Sequence, residues 1–582
     1  MGCNQQCNDI KKVRDFIFQT DDDGLSIDES QIPSKFIDHY TTIAQKLVSK
    51  VPDTPTDYTS HLKDKIEKTF ALFPVIPNEI NPIIDNLKDN GRTANSIATS
   101  VLIESKQTIS PILCHLINLF TQQGYFPDNL KLGCITPIFK NGDREKVVNY
   151  RPVCTLSPLS KIFEKIVNNR MIDFIDKNNI FSKSQFGFRK NMGTEDALMD
   201  YINHLQSQLN SSRYTISIFL DLSKAFDVID HKILEAKLYH YGFRGKFLEF
   251  LMCFTKDRKY FVNINGRKSQ VKTVNTGVPQ GSTLGPLLFL LYINDMVNCS
   301  KLFLTQYADD STTTHSSTNL AQTISTVEKE FEKILNWLAD NKLIINLDKT
   351  HLMLFTYRAR PLEPITITVK GHTITEIKET KFLGIMLDNK LTWNAHIDHI
   401  SKKVSKSVSL LRMLKHSFPS RILKSIYHSL IYPYFNYGNI IWGAAATTLL
   451  DPLRRLQRKC IRIICSATFD APTGILFKRL NLLNIDQIYD FKCANFIYCT
   501  LNNIKYTLFK ESVHRNGSFH SYSTRSRDQL RPNHCRLTRF FTSFINYGMR
   551  KWNVIPANIK SAKSVYSFKR KLKKYFINQH PL

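Results

Sequence analysis

Three aspartates, and the runs that carry them, constrain this chain more than any other feature. Residues 214–220 (TyrThrIleSerIlePheLeu) alternate branched and polar side chains and end on Asp221. That pattern predicts a strand delivering a carboxylate at its C-terminal end. Further on, residues 302–305 lead into Tyr307-Ala308-Asp309-Asp310 and then Ser311-Thr312-Thr313-Thr314. This predicts strand, turn with two acids, strand. Two carboxylates on a tight turn with a third at a strand end suit a pair of divalent cations. Hard ions such as Mg²⁺ take oxygen ligands, and two of them ~3.5–4 Å apart need closely placed, shared carboxylates. Surface turns often carry an Asp pair, so 309–310 decides nothing without its neighbours.

Those neighbours read as mixed α and β structure. A helical period covers 97–123 and ends at Gly124-Tyr125-Phe126-Pro127, and 158–180 is helical again. Residues 134–139 form a short apolar strand before the Asn141-Gly142-Asp143 turn. Residues 231–256 read as helix, 260–274 as a hairpin around Asn265-Gly266, 284–298 as an apolar helix and 319–340 as an amphipathic one. Segments 343–356 and 365–387 are rich in strand signals. From 395 onward the chain turns helical. Ile397, Ile400, Val404, Val408, Leu411 and Leu414 keep a three-four spacing, with Lys402, Lys403 and Lys406 between them. A second such helix sets Leu453, Leu456, Cys460 and Ile463 on one side and Arg455, Arg458 and Arg462 on another. Residues 1–75 are polar and irregular, with Asp21-Asp22-Asp23 and several prolines, and read as a linker or a peripheral helical segment.

Charge divides the 582 residues unequally. Residues 1–400 hold 47 Lys+Arg against 44 Asp+Glu, whereas residues 401–582 hold 32 against 6. So basic a block points to a polyanion, most often nucleic acid. No apolar run approaches the ~18 residues of a membrane span, and no basic stretch followed by an apolar core marks a signal peptide. Met1-Gly2-Cys3 resembles a lipidation start, but Gln6 stands where Ser or Thr is wanted. The twelve cysteines are scattered without paired Cys-x2-Cys spacing, and His514, His520, His534 and Cys535 are spaced too irregularly for a zinc site. Reduced, mostly buried thiols without disulfides, in an intracellular protein, are the expectation.

Eight ordered segments give the chain a resemblance. PheLeuAspLeuSerLysAlaPheAsp (219–227), ThrGlyValProGlnGlySerThrLeuGlyPro (276–286), TyrAlaAspAsp (307–310), LeuAspLysThr (347–350) and PheLeuGlyIle (382–385) follow one another as in the palm of reverse transcriptases. Upstream, ThrProIlePheLysAsnGlyAsp (136–143), AsnTyrArgProVal (149–153) and GlnPheGlyPheArg (185–189) resemble that family's finger segments. The chain is most similar to the enzymes of non-LTR retrotransposons, the LINE-like elements of the jockey and chicken-repeat kind. The likeness runs from about 95 to 470 and more loosely to the end.

The resemblance implies an α+β right-hand polymerase with a basic, mostly helical C-terminal region. Residues 1–95 would be a linker or N-terminal region, 96–390 fingers and palm, 391–470 thumb, and 471–582 a basic nucleic-acid-binding region. It implies an RNA-directed DNA polymerase whose partners are template RNA, primer or target DNA and deoxynucleoside triphosphates, with no membrane. The nucleus would be its place of action at the integration step. Asp221, Asp309 and Asp310 would hold two Mg²⁺ ions, with Mn²⁺ as a substitute. Phe226 would sit under the sugar and exclude a 2′-hydroxyl, or else pack in the core. Gln280 and Gly281 would let the backbone approach the nascent pair. Lys140 and Arg151 would neutralise the triphosphate, and Lys349 would donate a proton near the leaving pyrophosphate. Phe382, Leu383 and Gly384 resemble the primer grip. Arg455, Arg458 and Arg462 suit the backbone of an RNA–DNA hybrid. The segments 520–525 and 547–556 look like the tail of such element-encoded proteins, where Tyr522, Tyr547 and Trp552 would stack bases or fill a small core.

The family's usual N-terminal endonuclease has no counterpart in the first 95 residues, so the chain reads as a polymerase part, a truncated copy or a gene-model fragment. Six acids after residue 400 are too few and too dispersed for a ribonuclease H site. A viral RNA-dependent RNA polymerase would show Gly-Asp-Asp and lack the 279–286 pattern. A group II intron maturase would share TyrAlaAspAsp but not the 520–556 tail. The remaining rival is a decayed or co-opted element that only binds nucleic acid.

Overall fold

The computed structural model describes residues 30–49, 58–63, 65–88, 97–519 and 526–579. Asp21-Asp22-Asp23, Cys3, Cys7, His520 and Tyr522 lie outside them. The chain is a mixed helix-and-sheet, α+β protein in two compact units. One gathers residues 1–188, 220–311 and 329–349; the other gathers 189–219, 312–328 and 350–582. The strands relevant here are β1 (Leu132–Phe139), β2 (Tyr150–Thr155), β3 (Tyr214–Leu220), β4 (Arg258–Ile264), β5 (Arg267–Lys268), β6 (Lys272–Val274), β7 (Phe303–Tyr307), β8 (Asp310–Ser317), β9 (His351–Phe355), β10 (Thr366–Val369), β11 (His372–Thr375), β12 (Glu379–Phe382) and β13 (Ile385–Asp388).

In the first unit β1 lies between β2 and β4. It pairs antiparallel with β2, from Cys134 opposite Thr155 to Phe139 opposite Tyr150. It pairs parallel with β4, Leu132 opposite Lys259. Strand β4 turns back on β5 through Asn265 and Gly266, both at positive φ (52° and 88°). Two such residues make the turn whose twist matches a hairpin. The helix Ile32–Val48 covers this sheet, burying Ile32, Phe36 and Ile37 against Ile135, Tyr150, Tyr260 and Val262. The helix Pro158–Lys177 starts where Ser157 Oγ accepts the Ser160 amide and proline occupies the first turn. The run 231–256 predicts one helix, but two form, His231–His240 and Gly245–Thr255. Gly242 separates them at φ 96°, and a Cβ there would stand 2.4 Å from the Lys68 carbonyl oxygen. Close backbone approach breaks the helix at a residue that alone tolerates it.

In the second unit β3 has β9 antiparallel on one side, Thr215 opposite Phe355 through Phe219 opposite His351. Strand β8 lies along its other side, where Ser217 and Thr314 hydroxyls bond at 2.9 Å. The expected strand over 343–356 narrows to β9, because Leu347–Lys349 form one 3-10 turn. Strands β10 and β11 form one hairpin and β12 and β13 another, the latter turning at Leu383 and Gly384 with φ 44° and 84°. Helices follow at Asn394–Leu414, Ser420–Leu430, Thr447–Ile464, Ile485–Leu501, Phe544–Val554 and Val565–Asn578. The three-four apolar faces expected after 395 are the buried ones: Ile397, Ile400, Val404, Val408 and Leu411 share a core with Leu453 and Cys460. No described helix is long and apolar enough to cross a membrane. The described cysteines, Cys154, Cys460 and Cys493 among them, are unpaired thiols.

Candidate active site

Asp221 is the first residue after β3, and the chain beyond it is tied down. The Asp221 carbonyl oxygen accepts the Asn346 amide at 2.8 Å, and the Ser223 amide donates to Ile344 O at 2.8 Å. The segment 344–346 therefore fixes where the carboxylate begins. Lys349, at the end of the 3-10 turn, places its Nζ 3.7 Å from Asp221 Oδ2.

The turn between β7 and β8 carries the other two acids. Ala308 adopts φ 57°, a conformation costly for a residue with a Cβ. A second segment holds it there. The Ala308 amide donates to Gln185 Oε1 at 3.0 Å, and the Gly187 amide donates to the same oxygen at 2.8 Å. The Phe186 amide donates to Gln306 O at 2.9 Å and the Gln306 amide to Ser184 O at 2.8 Å. Gly187 lies so close that a Cβ would stand 2.3 Å from the Ala308 nitrogen. Sequence reasoning marked 185–189 as a matching segment without seeing that Gln185 and Gly187 cradle the acidic turn.

Asp309 and Asp310 both have raised pKa values. Burial raises the pKa of Asp309; Asp221 adds to the rise, while Arg151 and Lys140 oppose it. Asp310 reaches solvent at the rim. Even so, removal of water by the surrounding protein, then the charges of Asp309 and Asp221, lift it to about 6. Like charges held together with too little compensation favour a bound cation, a proton or a metal. Asp221, Asp309 and Asp310 thus have the donor chemistry of a divalent-ion site. Among the described residues no group of three or more His, Cys, Asp or Glu side chains is already placed to hold a metal ion.

Basic groups stand around the acids. Lys140 and Arg151 are exposed at the end of β1 and on β2. The Lys140 amide donates to Asn149 O at 2.9 Å, and Arg151 lies opposite Ile138. Lys224, which sequence reasoning did not single out, belongs with them. Burial lowers its pKa, Asp227 opposes that, and Lys140, Arg151 and Lys349 add to it. Its signal was its place between Asp221 and Asp227 in the segment 219–227.

Phe226 is half-buried. Its ring stacks on Phe289 at 4.4 Å between centroids and meets Phe188 edge-on at 6.2 Å. Its carbonyl oxygen accepts the Val278 amide. The Gln280 side chain donates to Asp227 Oδ1 at 2.7 Å, and burial pushes Asp227 up to about 6. Gly281, at φ 113°, approaches β2 so closely that a Cβ would lie 2.2 Å from Cys154 O. Glu164 was also missed. It is fully buried and accepts from the Thr283 amide at 2.6 Å, the Leu284 amide at 3.3 Å and Ser160 Oγ at 2.9 Å. It anchors the start of the helix Gly285–Ile293, as a carboxylate at a helix N-terminus does. Nothing local in the sequence marks this role, because the two amides it holds lie 119 and 120 residues away.

The second unit holds the other residues singled out. Phe382 is buried against Tyr201 and Phe219. Leu383 is half-buried, its carbonyl accepting the Tyr437 hydroxyl, and Gly384 is exposed beside the same ring. Arg455 and Arg458 are exposed, whereas the Arg462 Nε donates to Ala471 O at 3.1 Å and its guanidinium lies over Phe469. Trp552 is buried, and Tyr547 bonds Asp490 beside Tyr489.

Residues 138–387 match the family described as reverse transcriptase (RNA-dependent DNA polymerase). Curated relatives include the probable RNA-directed DNA polymerase from transposon BS of Drosophila melanogaster, 26% identical over 75% of this chain and 48% of that protein. The RNA-directed DNA polymerase from mobile element jockey of Drosophila melanogaster is 30% identical over 61% of this chain and 40% of its own length. The jockey protein of Drosophila funebris is 28% identical over 71% and 47%. The chain spans about half the length of the curated relatives it matches.

Proposed function

We propose that this chain, whose residues 138–387 match the reverse transcriptase family, is the RNA-directed DNA polymerase of a non-LTR retrotransposon. It adds deoxynucleotides to a primer 3′-hydroxyl on an RNA template. One observation carries the reading. The acid that follows β3 and the two acids of the β7–β8 turn, 88 and 89 positions later in the chain, act on one another electrostatically.

On this reading Asp221, Asp309 and Asp310 hold two Mg²⁺ ions, or Mn²⁺. Bound there, the ions would lower the pKa of the attacking hydroxyl and stabilise the charge of the leaving pyrophosphate. The protein's own groups do the positioning. Lys140 and Arg151 meet the triphosphate, Arg with a bidentate fork. Phe226, braced by Phe289, presents its ring to the sugar and disfavours a 2′-hydroxyl. Gln280, oriented by Asp227, and Gly281 lie along the nascent pair. Lys349 is the proton donor to the leaving group. Residues 96–390 serve as fingers and palm and 391–470 as thumb. The turn Phe382-Leu383-Gly384, just before the thumb, and the thumb face bearing Arg455, Arg458 and Arg462 follow the primer and hybrid backbone. The basic region 471–582 binds nucleic acid, and residues 1–95 are the N-terminal connection.

The test is primer extension by the purified chain on poly(rA) with oligo(dT) and Mg²⁺ or Mn²⁺, beside Asp309→Ala. Incorporation of dTTP by the parent and its loss in the variant are expected. Equal extension by both would refute the assignment of Asp309. Salt-sensitive RNA binding by a parent that never extends would favour a protein that binds nucleic acid without turnover.

A further inference from the structure

A cavity of about 340 Å³ opens inside the second unit, among the helices Ser420–Leu430, Ile485–Leu501 and Val565–Asn578. Its size lies within the range of small-ligand sites. Its wall combines three kinds of group. Tyr432 and Phe491 are half-buried rings that line it. Asn495 offers an amide. At the rim stand Lys569 and Lys573, one helical turn apart, with His428 facing the same space.

Charge is what makes the cavity unusual. Lys424 and Lys573 both depress the pKa of His428, after burial, and Lys424 acts likewise on Lys573. Lys424, His428 and Lys573 therefore crowd one another, and Lys569 lines the same cavity. Among the described residues Lys424, Lys569 and Lys573 make no ion pair. Glu195 is the one carboxylate lining the cavity, and it is committed elsewhere. Its Oε1 accepts from Lys492 Nζ at 2.7 Å and from the Gly438 amide at 2.6 Å. Like charges assembled without a counter-charge are unfavourable alone and complement an anion. Aromatic walls with a cationic rim match a phosphorylated nucleobase: the ring stacks and the phosphate is neutralised.

We propose that this cavity takes one unpaired nucleotide of a single-stranded RNA, its base against the Tyr432 and Phe491 rings and its phosphate at Lys569 and Lys573. The inference rests on the reading that the chain binds RNA. It adds that part of the RNA is read outside any duplex. Asn495 supplies an edge contact that would prefer some bases over others.

The test compares a labelled 15-nucleotide single-stranded oligo(rA) with a labelled RNA–DNA hybrid, using the full chain, Lys569→Gln/Lys573→Gln and Tyr432→Leu. The lysine variant changes rim charges and leaves the core intact, so it keeps the test meaningful even if Tyr432→Leu unfolds. Single-strand affinity should fall about tenfold, with the salt slope reduced by about one to two. Hybrid affinity and extension from a preformed hybrid should stay within about twofold, far less than the loss of a stacked base and two phosphate contacts. Equal losses for single strand and hybrid would overturn the proposal, as would no loss for either. Adenosine monophosphate serves as the free-nucleotide arm. If its binding needed the lysines while strand binding did not, the strand assignment would be overturned. A parent that binds oligo(rA) but never extends would sink the polymerase reading and leave this comparison intact.

Discussion

Gly187 offers the sharpest perturbation, because its effect is steric and its target is the acidic turn. A Cβ at this position would lie 2.3 Å from the Ala308 nitrogen and 3.0 Å from both Ala308 Cα and the Tyr307 carbonyl carbon. Ordinary contact begins at 3.4 Å, and every atom it meets is backbone. The β7–β8 turn must therefore retreat by about 1 Å in Gly187→Ala, and a misplacement of that size at reacting groups costs about 10²-fold. That is about 2.7 kcal/mol in the barrier. Overpacking would separately cost about 1–3 kcal/mol of stability. The assay is steady-state extension on poly(rA) with oligo(dT), together with a melting curve and primer–template affinity. The expected result is kcat reduced about a hundredfold, affinity unchanged and a folded protein. A folded Gly187→Ala with parental kcat would refute the argument that Gly187 sets the position of Asp309. Loss of primer–template binding in step with kcat would refute it too.

Four further outcomes follow from the same geometry. Phe226→Val should raise incorporation of rUTP relative to dTTP while dTTP extension persists; unchanged discrimination would return the ring to a packing role against Phe289. Asp310 titrates near 6, so protons should compete with Mn²⁺, and the apparent Mn²⁺ affinity should fall as pH drops through 6. The profile should flatten in Asp310→Asn. Asp227 also has a raised folded-state pKa, so the folded state takes up protons before the unfolded chain does. Its contribution to stability therefore grows as pH falls from about 6 toward 4, and Asp227→Asn should remove that slope in denaturant titrations. Glu164→Ala leaves the Thr283 and Leu284 amides without their acceptor and should cost about 2–4 kcal/mol in the denaturant midpoint. Glu164→Gln, which keeps one acceptor oxygen, should lose much less.

Local pattern was enough to read the strand that carries Asp221. Period-two alternation over 214–220 predicts it, and β3 spans those same residues. The helical faces after 395 were legible for the same reason, since a three-four stripe has one way to be buried. The break at Gly242 was not, because it depends on the Lys68 carbonyl, far away in sequence. Nor was the role of Gln185, whose partner is the amide of Ala308, 123 positions on. Glu164 reads as one more helix acid until the Thr283 and Leu284 amides are seen to meet it. Periodicity reports which face is apolar; it is silent about which buried polar group satisfies which distant backbone atom. The residues that position the acids belong to the second kind.

The pairing of β3 with β9 has a consequence for how such a gene can change. Five successive cross-strand pairs, Thr215 with Phe355 to Phe219 with His351, set the register of the strand that leads into Asp221. Exchange of Ile216 or Ile218 for another aliphatic residue leaves that register alone. Insertion or deletion of a single codon within it would instead turn the acid to the opposite face of the sheet. The reading frame of this short stretch is thus guarded more strictly than its spelling. A lineage of copies could drift widely in the letters of 214–220, yet a gain or loss of three bases there would end its line.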